Sequence, residues 1–378
     1  MKKCDYLVVG AGIFGATVAE RLADRGYKVL VIDRRGHLAG NIYSYADVET
    51  GIEVHKYGSH IFHTEHDEVW GYLNKFTDFN DYVHTVNTRH DGKLYPMPIN
   101  LDTINLLFGT DMDATSAESF VKDEARHDAE RLGIEEPKNF EEKGIALVGE
   151  KLYDAFLKHY TEKQWHSSAK ELSAEILSRI PVRFSHDNRY FMNAKYQGIP
   201  VDGYTKMVEK MLKSPNIEVN LGVDFAKVYG KVDVIHKIIY CGQVDELMGY
   251  SLGVLPYRSL RFEEERGDVS IGEAVVNEAD ADVAYTRTHD YKFYQIHQPE
   301  VVRQKVSIIA REYPADFVKG GEAYYPVNNA NSEELYLKYV ELAREKYPDL
   351  LLGGRLGAFR YWDMDVAVKN ALELANVI

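Results

Sequence analysis

Disulfides cannot hold this fold together, because its 378 residues include only two cysteines, Cys4 and Cys241. Long hydrophobic runs are missing too, and no stretch approaches the ~20 apolar residues needed to span a bilayer. Positive charge is scarce, with 45 Lys and Arg against 59 Asp and Glu and a formal net charge of −14. That balance argues against a nucleic-acid or anionic-membrane surface, which needs clustered Lys and Arg. It leaves room for a small anion met by a few placed arginines. Internal repeats and low-complexity tracts are also absent. Met1 to Asp5 runs straight into a first strand, so no signal peptide is expected and the cytoplasm is the simplest location.

What is present suits two or three co-folded domains, since the chain is too long for one small core. The apolar share of 45% is ordinary for a globular protein. Tyrosine is the unusual residue, with 27 copies, each offering a flat apolar face and a hydroxyl. Most are expected simply to pack.

A short apolar run, Tyr6 to Val9, leads directly into Gly10-Ala11-Gly12-Ile13-Phe14-Gly15. Ala16 to Arg25 reads as a helix, with Val18, Ala19 and Leu22 at helical spacing and Gly26 as its stop. A second buried strand, Lys28 to Ile32, ends in Asp33. From Leu101 to Arg179 the texture is helical, and Ser116 to Leu132 and Gly149 to Trp165 carry apolar residues at i, i+3 and i+4. Alternating and aromatic runs over Pro181 to Gln197 and Leu255 to Ala310 predict antiparallel strands. Tyr204 to Lys213 and Glu333 to Lys346 predict helices, Ile217 to Asn220 a strand, and a last helix starts near Met364. The domains are therefore expected to interleave rather than follow one another.

GxGxxG between a strand and a helix has a physical meaning. Gly10 permits a tight turn, Gly12 lets backbone approach a pyrophosphate, and Gly15 allows close helix–strand packing. Phosphates then meet the free N–H groups of the helix N-terminus. Asp33 stands at about the ~20-residue spacing expected of an acid binding a ribose hydroxyl. FAD and NAD share this grip. Gly40-Asn41 follows the second strand closely, and Gly353-Gly354-Arg355 with Asp363-Met364-Asp365 supplies a late glycine turn opening a C-terminal helix. Such an element suits the ribityl and pyrophosphate end of a flavin, and an NAD dehydrogenase has no need of it. FAD is the expected cofactor.

Longer and chemically odd segments accompany the glycine turn: Lys56-Tyr57-Gly58-Ser59-His60-Ile61-Phe62-His63-Thr64, Tyr160-Thr161-Glu162-Lys163-Gln164-Trp165 and Arg179-Ile180-Pro181-Val182-Arg183. Tyr257-Arg258-Ser259-Leu260-Arg261-Phe262, Tyr285-Thr286-Arg287, Tyr324-Tyr325-Pro326-Val327-Asn328 and Gly353 to Asp365 follow. From Gly10 to Asp365 the chain resembles UDP-galactopyranose mutase, a family that interconverts the pyranose and furanose forms of UDP-galactose with reduced FAD. The resemblance implies a mixed α/β architecture: a Rossmann-like FAD-binding domain over 1–80, 198–250 and 340–378, with a helical uridine-binding domain and an antiparallel-sheet domain interleaved. The helical domain is expected over 98–178 and the sheet domain over 81–97, 179–197 and 251–339.

Residue roles follow from the same resemblance. Phe156, Tyr160, Thr161 and Trp165 would hold the uridine, with Phe156 and Tyr160 on one helix face. Stacking a base on an aromatic ring is worth about 1–3 kcal/mol. Arg179 and Arg287 would meet the diphosphate with bidentate guanidinium groups, Arg179 from a loop that closes over the substrate. Tyr190, Tyr361 and Tyr325 match tyrosines near the diphosphate and sugar, with the choice of Tyr324 or Tyr325 open by one residue; Asn87 and Asn277 match polar contacts there. Ser59 and His60 would run along the isoalloxazine ring, Arg355, Asp363 and Met364 would lie at the flavin edge, and Ile13, Phe14, Arg34, Gly40 and Asn41 would complete the FAD site.

A metal reading of His60, His63 and His66 fails on spacing. A three-residue step puts successive strand side chains on opposite faces, and no Cys or carboxylate pair completes a zinc site. No metal is expected. Nor is there a sign of a Ser-His-Asp triad or a paired-carboxylate glycosidase site, so the difficult chemistry is assigned to the cofactor. The resemblance implies nucleophilic catalysis from N5 of the reduced flavin, with no net redox, NAD(P)H as reductant, a homodimer, and a furanose destined for surface polysaccharide. Arg179, Arg287 and His60 are the expected catalytic residues. Rival readings are an amine oxidase-like or desaturase flavoenzyme, a mutase for a related UDP-sugar, a non-catalytic binding protein on this scaffold, or an NAD-dependent epimerase. Small departures from the family pattern occur at Asp33, where Glu is common, at Ala39, which replaces the first of two usual glycines, and at Trp362, where Tyr is usual.

Overall fold

The computed structural model describes residues 2–179 and 182–378. Five strands form an all-parallel sheet in the order Leu350–Leu352, Val232–Tyr240, Lys2–Val9, Val29–Asp33, Ile217–Leu221. Val29–Asp33 is buried throughout, as a parallel strand covered on both faces must be. Helix Ile13–Asp24 follows the glycine turn, buries Val18, Ala19 and Leu22, and packs on the C-terminal helix Met364–Val377. Gly26, at φ 91°, ends that first turn of chain in the left-handed region. The sheet's long strand Val232–Tyr240 has no counterpart in the sequence reading, because only its last three residues are buried.

A second sheet has seven strands in the order Tyr325–Pro326, Tyr257–Gly267, Ser307–Asp316, Arg287–Asp290, Val275–Glu278, Val86–His90, Lys93–Met97. One expectation needs correction here: the sheet is mixed, since Val275–Glu278 pairs parallel with Val86–His90. The whole helical body lies between those two strands in sequence, which supplies the long crossover that parallel pairing needs. A second correction concerns the segment before Gln197. Its described residues form an irregular loop, apart from the strand Tyr196–Gly198 and a single bridge from Arg189 to Thr85. Arg183 folds that loop on itself by donating to the carbonyls of Asp187 (3.1 Å) and Arg189 (2.7 Å), which removes those acceptors from any strand ladder.

The helical body comprises Leu101–Phe108, Ala114–Leu132 and Phe140–Val148, each started by an Asx side chain (Asn100, Asp113, Asn139) that accepts a first-turn N–H. A continuous helical run then covers Glu150–Tyr153, Asp154–Lys158 and His159–Trp165, with the middle five residues wound as a π-helix. Such wide turns occur often at functional sites. Among the described residues no helix is long and apolar enough to cross a membrane.

Candidate active site

The carboxyl ends of the parallel strands open into a cleft of about 450 Å³. Gly10, Gly12, Ile13, Phe14, Gly15, Asp33, Arg34, Gly40, Asn41, His60, Arg355 and Met364 all line it. Ser59 and Asp363 stand beside lining residues instead. Ser59 Oγ is 2.9 Å from His289 Nδ1, and Asp363 is the N-cap residue of the final helix.

Backbone geometry explains the glycines. Gly10 sits at φ 118°, and a Cβ on Gly15 would lie 2.0 Å from the Gly10 carbonyl oxygen. Gly12 caps helix Ile13–Asp24 with no side-chain acceptor, so the first-turn N–H groups are free for an anion. Asp33 ties the turn together, accepting from Ala11 N on one oxygen and Arg35 N on the other, both at 2.8 Å. Each oxygen keeps a lone pair for a ribose hydroxyl. Ala39 adopts φ 70°, a left-handed conformation that costs a non-glycine residue roughly 1–2 kcal/mol. That accounts for the usual glycine at this position. Beyond Asp33 the cleft is walled by Phe225, Tyr229, Tyr240 and Tyr347, whose rings form a contiguous edge-to-face cluster. A free helix N-terminus, a strand-end carboxylate and an aromatic end wall together fit a dinucleotide such as FAD.

His60 donates from Nδ1 to the Gly58 carbonyl at 2.7 Å, because a carbonyl can only accept; Nε2 therefore keeps its lone pair. Burial, helped by the nearby Arg355 charge, pulls its pKa down to about 4. The ring is neutral at neutral pH.

Arg287 begins a central strand of the mixed sheet, with Asn277 and Glu312 as its cross-strand partners. Its guanidinium donates to the Tyr160 hydroxyl, and its Nε lies 3.3 Å from Glu312 Oε1 without an aligned hydrogen bond. Glu312 Oε2 is 3.2 Å from His289 Nε2. Burial works to raise the Glu312 carboxyl, but Arg287 and then His289 outweigh it and hold it below the usual range. Burial keeps His289 neutral, so Nε2–H donates to Glu312 and Nδ1 accepts from Ser59. A polar chain thus runs from Tyr160 through Arg287, Glu312 and His289 to Ser59, one residue from His60.

Two comparisons with characterised families decide the class. A model described as GLF, UDP-galactopyranose mutase, matches residues 155–361, and one for an NAD(P)-binding Rossmann-like domain matches 8–76. A probable UDP-galactopyranose mutase from Klebsiella pneumoniae is 38% identical over 378 residues, covering 100% of this chain and 95% of its own. The chain belongs to the UDP-galactopyranose mutase family. A dTDP-fucopyranose mutase from Escherichia coli is 37% identical over 377 residues, covering 98% of this chain and 97% of its own. The crystal structure of a reduced UDP-galactopyranose mutase shares the fold at a TM-score of 0.71 and 16% identity, covering 99% of this chain and 95% of that one. A putrescine oxidase shares it at 0.58 and 14%, covering 100% and 99%. Membership makes this mutase-family chain an isomerase and sets aside the non-catalytic and epimerase readings.

The structure gathers the residues expected around the sugar nucleotide unevenly. Tyr325 faces the Arg287–Glu312 group and meets Tyr361 edge-on at 5.4 Å, whereas Tyr324 is buried against Tyr57 and Phe262. The geometry thus turns Tyr325, not Tyr324, toward this group. Tyr190 is half-exposed, its backbone N–H bonded to the His84 carbonyl, and its hydroxyl lies near Tyr160 and Arg287. Asn87 and Asn277 lie on neighbouring parallel strands, and Thr161 is buried. Phe156 and Tyr160 do not share neighbours as expected. Phe156 packs in the helical core against Tyr95 (5.0 Å) and His90 (5.8 Å), while Tyr160 reaches Arg287. The π-turn between them widens the helix and breaks the i, i+4 alignment. Trp165 closes the run just before His166 turns left-handed. Arg355 spends its guanidinium on the carbonyls of Trp362 and Tyr324, which folds the loop at the cleft edge. Arg179 ends the short turn Ala174–Arg179, and its side chain lies outside the described residues.

Glu312 and His289 were missed by sequence reasoning. A signal did exist: strand alternation puts Glu312 on the same face as the buried Ala310 and Ile308, and a charge at a buried phase asks for a partner.

Proposed function

We propose that this mutase interconverts UDP-galactopyranose and UDP-galactofuranose with no net redox. The observation that carries the reading is Arg287: a half-buried guanidinium with donors to spare, fixed by Tyr160 and Glu312 and joined through His289 and Ser59 to the wall of the dinucleotide cleft. When bound, reduced FAD supplies the nucleophile of the reaction at N5. The chain does the rest. Arg287 stabilises the charge that grows on the departing diphosphate, and its fixed position means no reorganisation is needed as that charge develops. Arg179 is the expected second cation from the loop side. Tyr160, Trp165 and the turn bearing Phe156 hold the uridine, which keeps detached UDP close enough to return. Tyr325, Tyr361 and Tyr190 offer hydroxyls to the phosphates and sugar, with Asn87 and Asn277 behind them. His60, neutral and with Nε2 unprotonated, offers an acceptor beside the flavin without competing for charge. Cytoplasmic residence, a homodimer, NAD(P)H as reductant and a surface polysaccharide as destination complete the proposal.

A second reading is favoured by the Escherichia coli relative: a dTDP-6-deoxyhexose as substrate. Product chromatography separates the two when UDP-galactofuranose and dTDP-fucofuranose are supplied in parallel to the reduced enzyme. The expected result is turnover of the uridine substrate at least about tenfold faster, a difference of ~1.4 kcal/mol. The opposite order keeps the family and moves the substrate to the thymidine nucleotide.

A further inference from the structure

Lys163 lies in helix His159–Trp165 and reaches out of it. Its Nζ donates to four backbone carbonyls, those of Glu278 at 2.7 Å, Asp280 at 2.9 Å, Val283 at 3.0 Å and Tyr285 at 3.3 Å. The first ends strand Val275–Glu278, and the other three belong to the connection from it to strand Arg287–Asp290. An ammonium carries three protons, so the fourth carbonyl shares one of them. Converging carbonyl dipoles repel one another, and a cation at their centre is what lets this loop take its shape. From outside, the Asp280 carboxylate anchors the same loop to His90 Nδ1 (2.7 Å) and the backbone N–H of Asp91 (3.1 Å).

Helix and loop therefore meet twice. Tyr160, three residues before Lys163, accepts from Arg287, two residues beyond the caged Tyr285 carbonyl. Neither link alone fixes the distance between the helix and the arginine, because the Arg287 side chain is long and rotatable.

We propose that Lys163 is a positioning residue whose caged ammonium holds the Arg287 hairpin at a set distance from the helix that carries Tyr160. The inference rests on the proposed assignment of Arg287 and this helix to the nucleotide diphosphate. It accounts for a lysine sitting next to the uridine residues with no ligand contact of its own to make. Burial pulls the Lys163 pKa down to about 8, and the nearby Glu278, Asp280 and Asp282 charges work against that pull.

The test compares Lys163→Met and Lys163→Ala with the wild-type holoenzyme, reading kcat on UDP-galactofuranose, UDP affinity by calorimetry and flavin content. Lys163→Met is expected to keep its flavin while kcat falls about tenfold to hundredfold, the scale of a 1 Å misplacement. In Lys163→Ala, added methylammonium or ethylammonium is expected to restore part of kcat, and tetramethylammonium, which has no N–H, is not. Turnover and UDP affinity within about twofold of wild type in Lys163→Met would overturn the proposal. So would a loss that no alkylammonium restores. If Lys163→Met does not fold, Lys163→Ala purified in ethylammonium decides: on dialysis, lost kcat with retained flavin supports positioning, and unfolding assigns Lys163 to the scaffold alone. A wild-type enzyme that binds no UDP would instead refute the underlying functional reading, whereas a UDP-binding wild type whose Lys163 variants match it in both kcat and UDP affinity refutes only the role of Lys163.

Discussion

Arg287→Ala is expected to stay yellow and to lose turnover by about a hundredfold to a thousandfold, the range seen when a preorganised donor is removed from a developing negative charge. Flavin should remain because Arg287 does not line the dinucleotide cleft, whose walls are the glycine turn, Asp33 and the aromatic cluster around Phe225. Turnover should fall because no other described cation occupies the position between Tyr160 and Glu312. Arg287→Lys refines the argument. It retains the charge but loses the planar fork, so only part of the loss should return. The flavin-to-protein absorbance ratio and kcat on the same preparation check both variants. Near-normal turnover in a flavin-loaded Arg287→Ala would remove the arginine from the mechanism.

Glu312→Leu is expected to act on stability more than on flavin. The carboxylate is buried between Arg287 and His289, and removing it leaves a half-buried guanidinium with a single neutral partner. Breaking a fully buried pair from one side costs about 3–5 kcal/mol, and the partial exposure of Arg287 brings the expected loss below that range. Urea unfolding should show that loss, and Arg287→Leu/Glu312→Leu should cost less than the two single changes summed, since the stranded charge is then gone. The pH dependence has a definite sign. Glu312 titrates below its ordinary range in the folded protein, so its contribution is present above the unfolded carboxyl pKa and is lost as pH falls through the folded value. Wild-type stability should therefore drop on the acid side, with a shallower drop in Glu312→Leu. Equal acid sensitivity in the two proteins would show that the pair does not stabilise the fold.

Local chemistry decided what could be read from sequence. The glycine turn was legible because each glycine answers a backbone demand: Gly10 needs a positive φ and Gly15 cannot carry a Cβ. Helices such as Ala114–Leu132 and Ala330–Lys346 were legible through periodicity, which placed their starts late, at Ser116 and Glu333, because the capping residues Asp113 and Asn329 lie outside the apolar pattern. Strand Val232–Tyr240 was not, since its apolar residues do not keep a strict alternation and His236 and Lys237 interrupt them. The loop over 182–195 looked like strand because its aromatic residues suit one, and only the bonds by which Arg183 folds it on itself show why it is not. Site residues divided along the same line. Tyr160 and Arg287 could be named from motifs, but their contact spans 127 residues, and the buried Glu312 and His289 that complete it belong to no motif. The π-turn that separates Phe156 from Tyr160 is likewise invisible to a 3.6-residue period.

The most direct test of the account is product chromatography on purified enzyme given UDP-galactofuranose, with and without dithionite. The account predicts UDP-galactopyranose only when the flavin is reduced, with no net consumption of reductant per turnover. Equal conversion by the oxidised enzyme, or none by the reduced and FAD-loaded one, would contradict it.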